Sequence, residues 1–69
     1  MKKENTTIGN NIRKYRKKQG LSQDKLAKLA DISNVSIIKI ESGAIQSPTI
    51  DTVQKIAKAL KVSIDELMK

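Results

Sequence analysis

Four hydroxyl residues, Ser22, Ser33, Thr49 and Ser63, each stand just ahead of apolar side chains at helical spacing, and this punctuation constrains the chain more than any other feature. A Ser or Thr oxygen in that position accepts a hydrogen bond from a backbone N–H of the first turn, satisfying one of the donors a helix leaves unpaired at its start. The chain is therefore cut into short helices joined by tight connections. Ahead of the first cap, Ile8, Ile12 and Tyr15 recur at helical spacing from a start near Thr7, and Gly20 supplies a stop. Ser22 opens a second helix to about Ala30, with Leu26, Leu29 and Ala30 as its apolar face. After the connection Asp31-Ile32, Ser33 opens a third, which Gly43 ends. Residues 44–48 form a loop. Thr49 then caps a fourth helix with Ile50, Val53, Ile56, Ala57 and Leu60 on one stripe, and Ser63 with Glu66 forms a capping box for a last helix through Ile64, Leu67 and Met68. The fold class is all-α, with five helices and no strand signal.

Sixty-nine residues bury one modest core, here assigned to residues 7–69 behind a polar, flexible basic arm at 1–6 in which Lys2 and Lys3 are placed to touch phosphate. That core must be aliphatic, because the chain has no Phe or Trp and Tyr15 is its one aromatic residue. With no Cys and no His there is no disulfide, no thiolate or imidazole metal ligand, and no Ser-His or Cys-His nucleophile pair. The seven acidic residues are scattered, and the adjacent Asp65 and Glu66 point in different directions on a helix. No catalysis, metal, cofactor or small-molecule ligand is expected. The net charge of +7 favours a polyanionic partner, whose phosphates a basic surface attracts. No apolar run approaches the roughly 20 residues of a spanning helix, and no signal peptide is evident, so a soluble, cytoplasmic protein is expected without membrane attachment.

At about 100° per residue, Ile37 and Ile40 share one face of the third helix, while Val35, Ile38, Lys39 and Ser42 share the other. Two isoleucines anchor such a helix, and the displayed side suits a DNA major groove, where hydrogen bonds and methyl contacts both discriminate bases. The stretches QDKLAKLADISNVSIIKIESG and PTIDTVQKIAKALKVSIDEL resemble the XRE family of phage Cro and lambda-repressor-like helix-turn-helix proteins. The marks are Gln23 opening the second helix, Ala27 at a close helix packing, Ile37 and Ile40, the ending Glu41-Ser42-Gly43, and Pro48. Asp31 stands where the family's turn usually has glycine.

The resemblance implies a five-helix lambda-repressor-like domain with a central helix-turn-helix. It implies base contacts from Gln23, Asn34, Val35, Ser36 and Lys39, and phosphate contacts from Ser22, Ser42 and Gln46. It also pairs Arg16 with Glu41 in a structural ion pair, leaving Arg13 and Lys17 freer to meet the DNA backbone. The partner implied is double-stranded DNA, bound by a homodimer on a twofold-symmetric operator, with repression as the consequence; Ile64 and Met68 are the dimer candidates. A second reading stays open: Val35, Ile38 and Ile45 as the apolar patch of a protein-interaction module, such as an antirepressor or antitoxin-like partner.

Overall fold

The computed structural model describes residues 7–69, so the arm assigned to 1–6 lies outside the described residues. Five helices succeed one another: α1 (Thr7–Lys18), α2 (Gln23–Ala30), α3 (Asn34–Ser42), α4 (Ile50–Leu60) and α5 (Ile64–Met68). Each of the four caps closes as the spacing requires. Ser22 accepts from the N–H of Lys25 at 3.0 Å, Ser33 from Ser36 at 3.1 Å, Thr49 from Thr52 at 3.2 Å and Ser63 from Glu66 at 3.1 Å. The second half of the capping box is replaced, because the Glu66 carboxylate accepts from the Tyr15 hydroxyl and ties α5 to α1.

The turns after α2 and α4 are built alike. Residues 27–33 read AKLADIS and residues 57–63 read AKALKVS. In the first, Asp31 has φ 59° and the next N–H, of Ile32, reaches the Ala27 carbonyl at 3.0 Å; in the second, Lys61 has φ 60° and Val62 reaches Ala57 at 3.0 Å. Ile32 and Val62 both pack on the core, completing the apolar contact that accompanies this type of helix end. Gly43 ends α3 at φ 89° and Gly20 follows α1 at φ 71°, where a left-handed residue is easiest to place.

All five helices contribute to one aliphatic core. Ile12, Leu26, Ile37, Ile56, Leu60 and Leu67 have no exposed surface, with Ile8, Ala27, Ala30, Ile40, Val53 and Ala57 almost as deep. α1 crosses α3 so closely that a Cβ on Gly9 would stand 2.3 Å from the carbonyl oxygen of Ile40. Two side-chain amides also close the ends of other helices: Gln19, just after α1, donates Nε2 to the Leu60 carbonyl at 2.7 Å, and Asn11 of α1 donates Nδ2 to that of Leu67 at 2.8 Å.

Two apolar assignments are corrected. Leu29 is 54% exposed, because the eight-residue α2 buries Leu26, Ala27 and Ala30 and turns Leu29 to the edge of its inner face. Ile50 is 63% exposed, because it is the first residue of α4 and lies beyond the reach of the core that takes Val53 and Ile56.

Candidate functional site

α3 is held by Ile37 and Ile40, which are buried, and shows solvent its opposite side. Val35 is 57% and Ile38 42% exposed, and Asn34, Lys39 and Ser42 are exposed beside them. Ser36 is half-buried in the first turn, where its hydroxyl accepts from that of Ser33 at 2.9 Å. At the far end the Ser42 hydroxyl donates to the Lys39 carbonyl at 3.1 Å and accepts from the N–H of Ala44 at 3.3 Å, so it helps fold the chain out of the helix. Gln46 is exposed in the following loop, and Ser22 is exposed at the start of α2 while serving as its cap.

Glu41 is the buried polar centre of this region, 3% exposed under the last turn of α3. Arg16, itself 8% exposed, grips it in a two-pronged pair, with Nε 2.7 Å from Oε2 and Nη2 3.0 Å from Oε1. The guanidinium is fixed in turn by Nη1 donating to the Leu21 carbonyl at 2.7 Å. Two planar groups matched edge to edge leave little rotational freedom, so the pair sets the angle between α1 and α3.

Two further residues reach Glu41. Gln23 Nε2 donates to Oε1 at 3.0 Å, and Arg13 Nε lies 3.6 Å from the same oxygen. Arg13 is thus partly committed to this cluster, although its side chain is 47% exposed, whereas Lys17 is exposed and makes no ion pair among the described residues. Burial alone would raise the Glu41 carboxyl. The hydrogen bonds from Arg16 and Gln23 and the charges of Arg16 and Arg13 outweigh it, so the group is held below the ordinary carboxylate range and stays ionised at neutral pH.

The structure thus brings Gln23 against Glu41 near the end of α3, with Arg16 gripping the same carboxylate, and leaves Ser22 and Asn34 exposed. The tie between Gln23 and Glu41 is absent from the reading by resemblance, since a pair 18 residues apart on two helices leaves no local periodic signal. Ile45 is half-buried against the core, which removes one member of the apolar patch considered as a protein interface. On α5, Met68 is 57% exposed and Ile64 half-buried. Among the described residues no cluster of His, Cys, Asp and Glu could hold a metal ion, and no helix is long and apolar enough to cross a membrane.

The family model described as helix-turn-helix matches residues 12–67. The transcriptional regulator SlrR of Bacillus subtilis is 37% identical over 60 residues, a stretch that covers 87% of this chain and 40% of that protein. The chain thus spans less than half of that relative's length. Among solved structures, the N-terminal DNA-binding domain of SinR from Bacillus subtilis superposes with a TM-score of 0.89 at 31% identity, covering 93% of each chain. The P22 c2 repressor in complex with a synthetic operator superposes with a TM-score of 0.82 at 35% identity, covering 90% of this chain and 92% of that one.

Proposed function

Since the chain belongs to the XRE family of helix-turn-helix proteins, we propose that it is a transcription regulator that binds double-stranded DNA sequence-specifically, with α3 in the major groove. The observation that carries the reading is the two-sidedness of α3: buried Ile37 and Ile40 on one side, and on the other exposed Asn34, Val35, Ile38 and Lys39. Gln23, Asn34, Ser36 and Lys39 then meet base edges, and Val35 packs on a thymine methyl. Arg13, Lys17, Ser22, Ser42 and Gln46 lie toward phosphates, which fix register without reading sequence. Ser42 makes that contact while still closing α3.

The same reading takes the protein as a homodimer that places two α3 helices about 34 Å apart on a twofold-symmetric operator, with Ile64 and Met68 at the seam and repression as the outcome. It carries no catalytic step and places the protein with cytoplasmic DNA. The protein-interaction alternative is less well supported, because its patch shrinks to Val35 and Ile38 once Ile45 packs inward.

The test is fluorescence anisotropy at ~0.15 M salt, comparing an operator duplex selected in vitro by the protein with a scrambled duplex of equal length. A preference of about 10³ or more supports the reading. Equal affinity for the two duplexes would overturn it.

A further inference from the structure

We propose that Glu41, buried and out of contact with any base, is a positioning residue for sequence readout: it fixes which way round the Gln23 amide faces the DNA. This rests on the DNA-binding reading above and deepens it at one residue.

An ionised carboxylate is acceptor-only, whereas a glutamine amide has a donating and an accepting end of nearly equal size. Left to itself, such an amide can turn over and present either end outward. Here the turn is blocked, because Glu41 Oε1 takes a hydrogen bond from Gln23 Nε2 at 3.0 Å. The reverse orientation would set the amide oxygen against a carboxylate, with no hydrogen between them. Glu41 cannot rotate to relieve this, since Arg16 holds both of its oxygens and Arg13 stands 3.6 Å from Oε1. The side chain of Gln23 is half-buried beside exposed Ser22, so one edge of the amide meets protein.

The consequence is a fixed order of donor and acceptor. Nε2 carries two hydrogens, and Glu41 occupies one. The other, together with Oε1, makes an adjacent donor and acceptor of set sequence, the pattern that matches N7 and the N6 amino group of adenine in the major groove. A freely turning amide would pay for that order on binding; a locked one arrives with it. The base pair facing Gln23 should therefore be read sharply, through a residue that never reaches it.

The experiment uses the full chain and the in vitro selected operator, with each base pair of one half-site replaced in turn, and compares wild type, Gln23→Ala and Glu41→Gln. A glutamine at position 41 keeps the shape but can donate as well as accept, so the lock is released. Glu41→Gln is expected to lose about tenfold of the discrimination at one base pair, the same one that Gln23→Ala flattens, over and above any loss common to every duplex from the loosened Arg16 pair. A loss of affinity that is only uniform across the panel, or unchanged discrimination at that base pair, would overturn the proposal and leave DNA binding standing. A wild-type protein without base preference is seen before any variant is made; it overturns the functional reading and this proposal with it.

If Glu41→Gln does not fold, nuclear magnetic resonance on the wild type decides. One side-chain amide proton of Gln23 should be displaced and protected from exchange relative to those of exposed Gln46 and Gln54. Exchange as fast as theirs overturns the lock.

Discussion

The hydrogen that serves Gly9 as a side chain sets how near α1 can come to α3. Any larger residue would meet the Ile40 carbonyl at 2.3 Å and the Glu41 Cα at 3.2 Å, which are backbone atoms and cannot step aside by a rotamer change. Gly9→Ala gains up to about 1 kcal/mol in helix propensity, yet forcing the helices apart should cost about 1 to 3 kcal/mol or more. A lowered urea midpoint is expected, and a raised one would mean that α1 has slack. Glu41 lies on the same crossing. Removing one member of a buried pair strands the other charge, so Glu41→Ala should cost about 3 to 5 kcal/mol. Replacing both partners, as Arg16→Met with Glu41→Leu, should cost less than the single change. Thermal midpoints of the two variants without DNA test this; equal values would show that Arg16 finds water once Glu41 is gone.

At the scale of elements, the helices were legible because their signals are local. Ser22, Ser33, Thr49 and Ser63 each close on a residue three positions away, and Ile37 and Ile40 declare the inner face of α3 by spacing alone. What was not legible depends on partners distant in sequence. Gly9 meets residue 40, Gln23 turns to residue 41, and Tyr15 takes the Glu66 carboxylate that the capping box would have used. Leu29 and Ile50 were misplaced because apolar character marks a helix face without saying how far the core extends along it. Lys61 was missed for another reason: its left-handed backbone carries no mark in the residue type, whereas Asp31 in the matching turn tolerates that geometry better. Lysine should be held there at a cost of about 1 to 2 kcal/mol, and glycine would remove it while adding ~0.4 to 1 kcal/mol of unfolded-chain entropy. Lys61→Gly is thus expected to raise the thermal midpoint modestly, and more than Asp31→Gly. The reverse ranking in calorimetry would mean that the Lys61 side chain contributes something its position does not reveal.

Across the whole molecule, a net charge of +7 means that stability depends on where the few negative charges are held. Among the described residues, Glu41 and Glu66 are fastened to partners on α1. Glu41 remains ionised through Arg16, Gln23 and Arg13 against the cost of its burial. Glu66 is lowered by its bond from Tyr15 and by the charges of Lys69 and Lys14. A carboxyl whose folded value lies below its unfolded one contributes stability that is fully present above the unfolded value, about 4.3 for glutamate, and is lost as pH falls through the folded value. Stability should therefore hold from neutral pH to about 5 and fall steeply below it, as the cationic chain loses the charges that oppose its 14 Lys and Arg residues. Tyr15 acts in the opposite sense at the other end. Its hydrogen bond to Glu66 raises it, so its contribution is present below about 10 and is lost as pH rises through the higher folded value. Thermal midpoints from pH 3 to 11 should trace a plateau with two shoulders, and the variants separate them. Glu66→Gln should soften both shoulders, since it removes a lowered carboxyl and the group that raises Tyr15. Tyr15→Phe should remove the alkaline shoulder and only shrink the acid one, since Glu41 is untouched and Lys69 and Lys14 still lower Glu66. An acid shoulder unchanged in Glu66→Gln would place all of the low-pH loss at Glu41, where α1, α2 and α3 meet, and would leave the α1–α5 strap without a share in it.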